Sequence, residues 1–144
     1  MSAANRERGT MNGERRLGTK DEGKITSFFD LDAWQEAYTL TLLVYQLTKT
    51  FPKDELYALK SQVRRAVISV TSNIAEGFAR DTYADKAHFY VMAHASISES
   101  ISQMYVAKGL GYITEDAFES FIIQANRTYA ILRGLIRSTK EKMK

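Results

Sequence analysis

The sequence contains no cysteine, a single proline (Pro52), two histidines and 8 glycines in 144 residues. Without cysteine there are neither disulfides nor thiolate metal sites, and a reducing cytoplasm is the expected location. Two histidines leave little for metal chemistry. So few breakers imply long elements, and helices are the expected kind. No apolar run approaches the roughly 20 residues of a membrane span. The stretch after Met1 is rich in Arg, Glu and Gly without an apolar core, which argues against a secretory signal. Met11 is a second candidate start.

What is present is balanced. Hydrophobic residues make up 44% and charged residues 26%, as in a soluble globular chain of one domain. The net charge of +3 and pI near 9.1 are mildly basic and weak as a sign of nucleic-acid binding in one chain. In an assembly the charge counts for more: five copies at +3 each would carry +15.

Residues 1–27 hold six basic and four acidic residues and almost nothing to bury. Such a segment cannot offset its ordering entropy and reads as a disordered basic tail. Arg6, Arg8, Arg15 and Arg16 could meet an anionic partner there, or the tail is a plain solvated extension. Residues 28–144 read as one helical domain. The first helix is expected from about Asp30 to Thr50, with Asp30 or Asp32 as cap and a stripe of Leu31, Trp34, Tyr38, Thr41, Tyr45 and Thr48. Ala37, Leu40 and Val44 lie alongside. "FPKDE" breaks it, since Pro52 removes a donor and disfavours helix at Phe51.

Asp54 and Glu55 suit the start of a second helix. Its core arc holds Leu56, Leu59, Val63, Ala66, Val67, Val70 and Ile74, and Gly77 is placed to end it in a left-handed conformation. Beside that arc runs a polar one of Gln62, Arg65, Ser69, Ser72, Asn73 and Glu76. Ile68 is apolar outside both and suggests a second contact surface. A third helix follows a Thr82–Asp85 pair resembling a capping box and stops at Gly109 or Gly111. Its stripe is Phe89, Met92, Ala93, Ser96, Ile97, Ile101, Met104 and Ala107, and its small residues allow close helix approach. The fourth begins after Thr114, with a stripe from Phe118 to Ile136. "RSTKEKMK" is a basic end expected to fray. The fold expected is all-α, an antiparallel up-down-up-down four-helix bundle behind a disordered N-terminal tail.

Enzymatic readings fare poorly. A di-iron bundle needs paired Glu-x-x-His motifs, and Asp85 with His88 is one near miss without a second copy. His88 and His94, six residues apart, point to different sides of a helix. No phosphate-cradling glycine loop or nucleophile elbow occurs. Ser69 and Ser72 lie mid-helix with no histidine close by in sequence. The chain is expected to be no enzyme and to need no cofactor or metal.

Phe28, Leu31 and Trp34, then "FPKDE", "QVRRAVISVTSNIAEGFAR" and "ASISES", resemble the four-helix bundle family of the 23S rRNA intervening-sequence protein. Gln62, Arg64, Arg65, Ala66, Ser69, Asn73, Ile74, Ala75, Glu76 and Gly77 match that family's central motif. Ser96 and Glu99 match the later one, with Ala95 where glycine is common. The likeness covers about residues 28–136. It implies a mostly bacterial family of homopentamers, related bundles serving diversity-generating retroelements, and RNA or DNA or a reverse transcriptase as partners. It implies no settled activity.

Two readings of the polar arc stay open. In one, Gln62, Arg65, Ser69, Asn73, Glu76, Ser96 and Glu99 form a hydrogen-bonded network between helices and subunits, with Arg65 paired to Glu76 or Glu99. In the other, Arg64, Arg65 and Arg80 contact phosphates. The function is accordingly a homo-oligomeric nucleic-acid-associated adaptor, or a structural protein-interaction bundle whose charge is incidental.

Overall fold

The computed structural model describes residues 24–144, which hold four α-helices and no β-strand. The helices are α1 (Asp32–Leu47), α2 (Leu59–Phe78), α3 (Tyr83–Gly109) and α4 (Glu115–Glu141). The tail arginines and Met11 lie outside the described residues. Thr26 and Ser27, at the end of the expected tail, both donate backbone N–H groups to the Asp30 carboxylate, at 2.9 and 3.1 Å. Asp30 thereby completes a capping box with Ser27 on a short 3-10 turn, Phe28–Asp30. It does not cap α1, whose N-cap is Leu31 with no side-chain bond, while Asp32 sits in the first turn near the positive helix end.

The apolar stripe of α1 is rotated from the expected one. Ala33, Ala37, Leu40 and Val44 are the buried residues, followed by Thr48 at the C-cap. Small alanines let the neighbouring helices come close, and the large rings are displaced to the flank. There Trp34 stacks on Tyr38 at 5.2 Å between centroids and is covered by Phe28 and Phe29.

α2 starts later than its acids suggest. Lys53–Glu55 form a 3-10 turn, and the helix begins at Leu59. Glu55 still serves the helix end, because its carboxylate accepts from the Leu59 N–H at 3.0 Å. Its other oxygen accepts from the Tyr112 hydroxyl at 2.8 Å, tying this connection to the turn between α3 and α4. These two hydrogen bonds hold the Glu55 carboxyl below its ordinary range, and the same contact raises Tyr112. Leu56, expected in the core, lies before the helix and is exposed. Val63, Ala66, Val67, Val70 and Ile74 are buried.

Gly77 does not terminate α2. The helix continues through Phe78 to a right-handed C-cap at Ala79. Glycine is required there by proximity: a Cβ would lie 2.7 Å from Cε1 of Tyr90 on α3. The left-handed glycine is Gly111, with φ 80°, just beyond α3. Thr82 caps α3 by accepting from the Asp85 N–H at 3.1 Å, and Thr114 caps α4 by accepting from the Ala117 N–H at 3.1 Å. The basic end does not fray at Arg137. α4 runs to Glu141, and Thr139 is buried with its hydroxyl on the Leu135 carbonyl at 2.7 Å.

Each helix packs on its neighbour in sequence, and α4 closes against α1. Contacts climb one helix as they descend the next: Thr48–Arg64 and Thr41–Val67, then Ser69–Ser96 and Gly77–Tyr90. Tyr105–Phe118 and His94–Tyr129 repeat the pattern between α3 and α4. One apolar cluster is centred on Leu40, Val67, Met104 and Phe121, the other on Ala37, Ile74, Ile97 and Leu132. Where α1 meets α4 the seam is polar. The Gln124 amide and the Thr128 hydroxyl both donate to the Glu36 carbonyl, at 3.1 and 3.2 Å, and Arg127 pairs with the Glu36 carboxylate at 3.3 Å.

Candidate functional site

The polar arc of α2 divides into residues that meet and residues that do not. At its centre the Asn73 amide donates to the Ser69 carbonyl and hydroxyl, at 2.9 and 3.0 Å. The Ser96 hydroxyl of α3 donates to Ser69 Oγ at 3.0 Å. Three expected members of the network therefore join α2 to α3. Small side chains make this possible, since two hydroxyls bond directly only where the helix backbones come close.

The charged members stand apart. Arg65 and Glu76 are both exposed, and eleven residues of one helix separate them by about 16 Å, too far for a pair within the chain. Glu76 pairs with Arg80, one turn on, at 3.1 Å. Glu99 is exposed and accepts from the Gln103 amide at 3.3 Å, and Gln62 is exposed.

The three candidate arginines differ in availability. Arg64 is half-buried and engaged: its Nε donates to Thr48 Oγ1 at 2.8 Å and its Nη2 to the Tyr45 carbonyl at 3.1 Å. Its guanidinium also lies 4.3 Å from the Tyr45 ring centroid. A cation at carbonyls released by the C-terminal turn of α1 offsets the negative helix end. Arg80 is paired with Glu76 and lies 4.5 Å from the Phe89 centroid. Arg65 is exposed, forms no ion pair among the described residues and lines a shallow groove of about 360 Å³ between α1 and α2. Tyr45, Leu56 and Ile68 supply apolar surface to that groove, while Lys60, Arg64 and Arg65 make its polar part cationic. No carboxylate lines it.

Sequence reasoning missed the partners of Arg64. Thr48 and Tyr45 lie one helix away, and only the packing of α1 on α2 brings them together. Nor does the sequence show what surrounds His94. His94 lies 3.9 Å from Tyr129 between ring centroids, and its Nε2 is buried with no hydrogen-bond partner among the described residues. Burial and the nearby Arg133 both push its pKa down.

Among the described residues no three His, Asp or Glu side chains gather as metal donors, and no helix is long and apolar enough to cross a membrane. Asp85 and His88 are both exposed on α3.

A bundle of four amphipathic helices with a hydroxyl–amide cluster between its middle pair defines the class: a small all-α helical protein. The sequence profile of the 23S rRNA-intervening sequence protein family matches residues 29–134, and the chain belongs to that family. A crystal structure of a protein with unknown function from the S23 ribosomal protein family of Bacteroides thetaiotaomicron has a similar fold. Its TM-score is 0.68 at 18% identity, over 73% of this chain and 95% of that one. No curated protein matches the chain in sequence.

Proposed function

We infer that this chain is a non-enzymatic, cytoplasmic bundle that assembles with copies of itself and associates with RNA or DNA. The observation that carries this reading is the groove between α1 and α2. It sets exposed Leu56 and Ile68 beside Lys60 and Arg65, with no carboxylate in its lining. Apolar side chains left outside a sealed core suit a contact beyond the chain, and unneutralised cations suit phosphates. The family's name, 23S rRNA-intervening sequence protein, supports a ribosomal RNA context. Five copies, and a reverse transcriptase as a protein partner, are what the family resemblance implies.

Within this reading Arg65 is the primary phosphate contact of the three arginines. Arg64 and Arg80 would each have to exchange an internal partner for a phosphate. Contacts repeated around an assembly add by avidity, and without a dense array of base-reading side chains the binding is sequence-independent.

Light scattering and a filter-binding titration with RNA and DNA test the two halves separately. A mass near five times 16.3 kDa and retention that weakens steeply with salt are expected. A stable monomer at micromolar concentration would refute the assembly. No retention of either nucleic acid at micromolar protein would favour the alternative, a structural protein-interaction bundle.

A further inference from the structure

The last helix carries a charge pattern that the groove does not use. Between Glu119 and Glu141 the sequence has no acidic residue, while Arg127, Arg133, Arg137 and Lys140 fall within it. At about 100° per residue, positions 133, 137 and 140 fall within roughly a 60° arc of one helix face, over about 10 Å of its length, and Lys144 follows just beyond the helix end. Arg133, Arg137, Lys140 and Lys144 are all exposed. Lys144 meets Glu141 at 3.7 Å, and the other three form no ion pair among the described residues.

The neighbouring helix does not neutralise this stripe. The His94–Tyr129 contact and Lys142, 5.7 Å from the Tyr83 ring centroid, lay the first half of α3 along the last half of α4. On α3 the acid nearest this end is Asp85, exposed in the first turn and in no ion pair among the described residues, and residues 86–98 contain none. Asp32 lies against the other flank of α4, with Gly134 and Ser138. Three unpaired cations along one line, with Lys144 beyond them and α3 free of acid from 86 to 98, make a local positive field that the chain's modest net charge conceals.

We propose that this α3–α4 face, through Arg133, Arg137, Lys140 and Lys144, is a phosphate-backbone binding surface for RNA or DNA. The proposal rests on the nucleic-acid reading above and adds a second phosphate-contacting surface to the groove. Three guanidinium and ammonium groups without an ion-pair partner among the described residues need no exchange to bind a phosphate, whereas Arg64 does. Regular spacing along one line suits a polyanion lying lengthwise, and it carries no means of reading bases.

The test uses full-length protein with a labelled single-stranded RNA and compares salt slopes of binding. One variant combines Arg133→Gln, Arg137→Gln and Lys140→Gln. A charge-matched control combines Lys24→Gln, Lys49→Gln and Lys53→Gln, and a groove variant combines Lys60→Gln and Arg65→Gln. Each phosphate contact on a single strand contributes about 0.7 to the slope of log K against log salt. The stripe variant should therefore lose up to about 2 of that slope and bind at least tenfold more weakly at about 0.1 M salt, with the control near wild type. On the unmutated protein, bound RNA should shield Lys140 and Lys144 from acetylation and leave Lys49 and Lys53 reactive. Equal weakening of stripe and control variants overturns the proposal, as does slope loss confined to the groove variant; either leaves the nucleic-acid reading standing. Wild-type protein that fails to bind RNA or DNA refutes both, and sedimentation with anionic vesicles in that case assigns the stripe to a lipid surface instead.

Discussion

Replacing Gly77 with alanine separates two effects that ordinarily travel together. Within a helix the change is favourable by about 1 kcal/mol, because glycine loses more backbone entropy on folding. At Gly77 the new Cβ would stand 2.7 Å from Cε1 and 2.9 Å from Cδ1 of Tyr90, and 3.1 Å from the Phe89 Cβ. Tyr90 is 2% exposed, so its ring has nowhere to swing and α2 must move off α3. Forcing an extra methyl into a packed interior costs about 1–3 kcal/mol. The net expectation is destabilisation by about 1 kcal/mol. Gly134 supplies the control, since a Cβ there meets nothing within 4 Å and Gly134→Ala should stabilise by about 0.5–1 kcal/mol. The two variants should thus differ by about 2 kcal/mol, or roughly 6 °C in Tm, with opposite signs about wild type. Thermal melts at one fixed protein concentration measure this, because assembly makes Tm concentration-dependent. A Tyr90→Leu background should abolish most of the Gly77→Ala penalty. If both glycine substitutions stabilise, the close approach of α2 and α3 at Gly77 is not a constraint and the reasoning fails.

Three further outcomes are expected. Thr48→Val strands the Arg64 Nε at the end of α1 and should cost about 1–3 kcal/mol in urea unfolding; a change below 0.5 kcal/mol, estimated on the scale of an ordinary surface substitution, would show that Arg64 finds another acceptor. Glu76→Ala breaks only an exposed pair with Arg80, so the stability of a single bundle should change by less than about 1 kcal/mol. A larger loss that tracks dissociation in light scattering would assign Glu76 to a subunit contact. His94 has a folded pKa below its ordinary 6.5, so the unfolded chain binds more protons between the two values. Its contribution is fully present above 6.5 and declines as pH falls through the window beneath it, and His94→Phe should flatten that decline in Tm measured against pH.

The four helices were legible because their signals are local. Thr82 and Thr114 cap where the sequence places caps, and Val63, Val67, Val70 and Ile74 share the buried side that their spacing requires. The phase of α1 was not legible. Trp34, Tyr38 and Tyr45 outweigh Ala33 and Ala37 in any hydrophobic reading, yet the core selects the small residues because four helices must come close around them. Gly77 misled for the same reason: a glycine at the end of a helical pattern usually marks a left-handed turn, and here it marks the approach of Tyr90. In the polar arc, Asn73 and Ser69 could be paired from their spacing of one turn. Ser96 could be brought to them only by packing. The exchange of Arg65 for Arg80 as the partner of Glu76 follows from helix geometry alone, since four residues bring side chains together and eleven do not.

The seam between α1 and α4 closes the bundle through residues 88 and 92 positions apart, and it brings the start of the described residues close to the end of α4. Ile25 and Ser138 line the same pocket. The order in which the helices follow one another along the chain is therefore separable from the way they pack. A short linker from Lys144 to residue 24, with a cut in the turn at 110–114, would make the α1–α4 seam a local contact and the α3–α4 seam a distant one. Such a permuted chain should keep every buried residue in place while changing its folding rate, because closure of the longest loop moves from one seam to another.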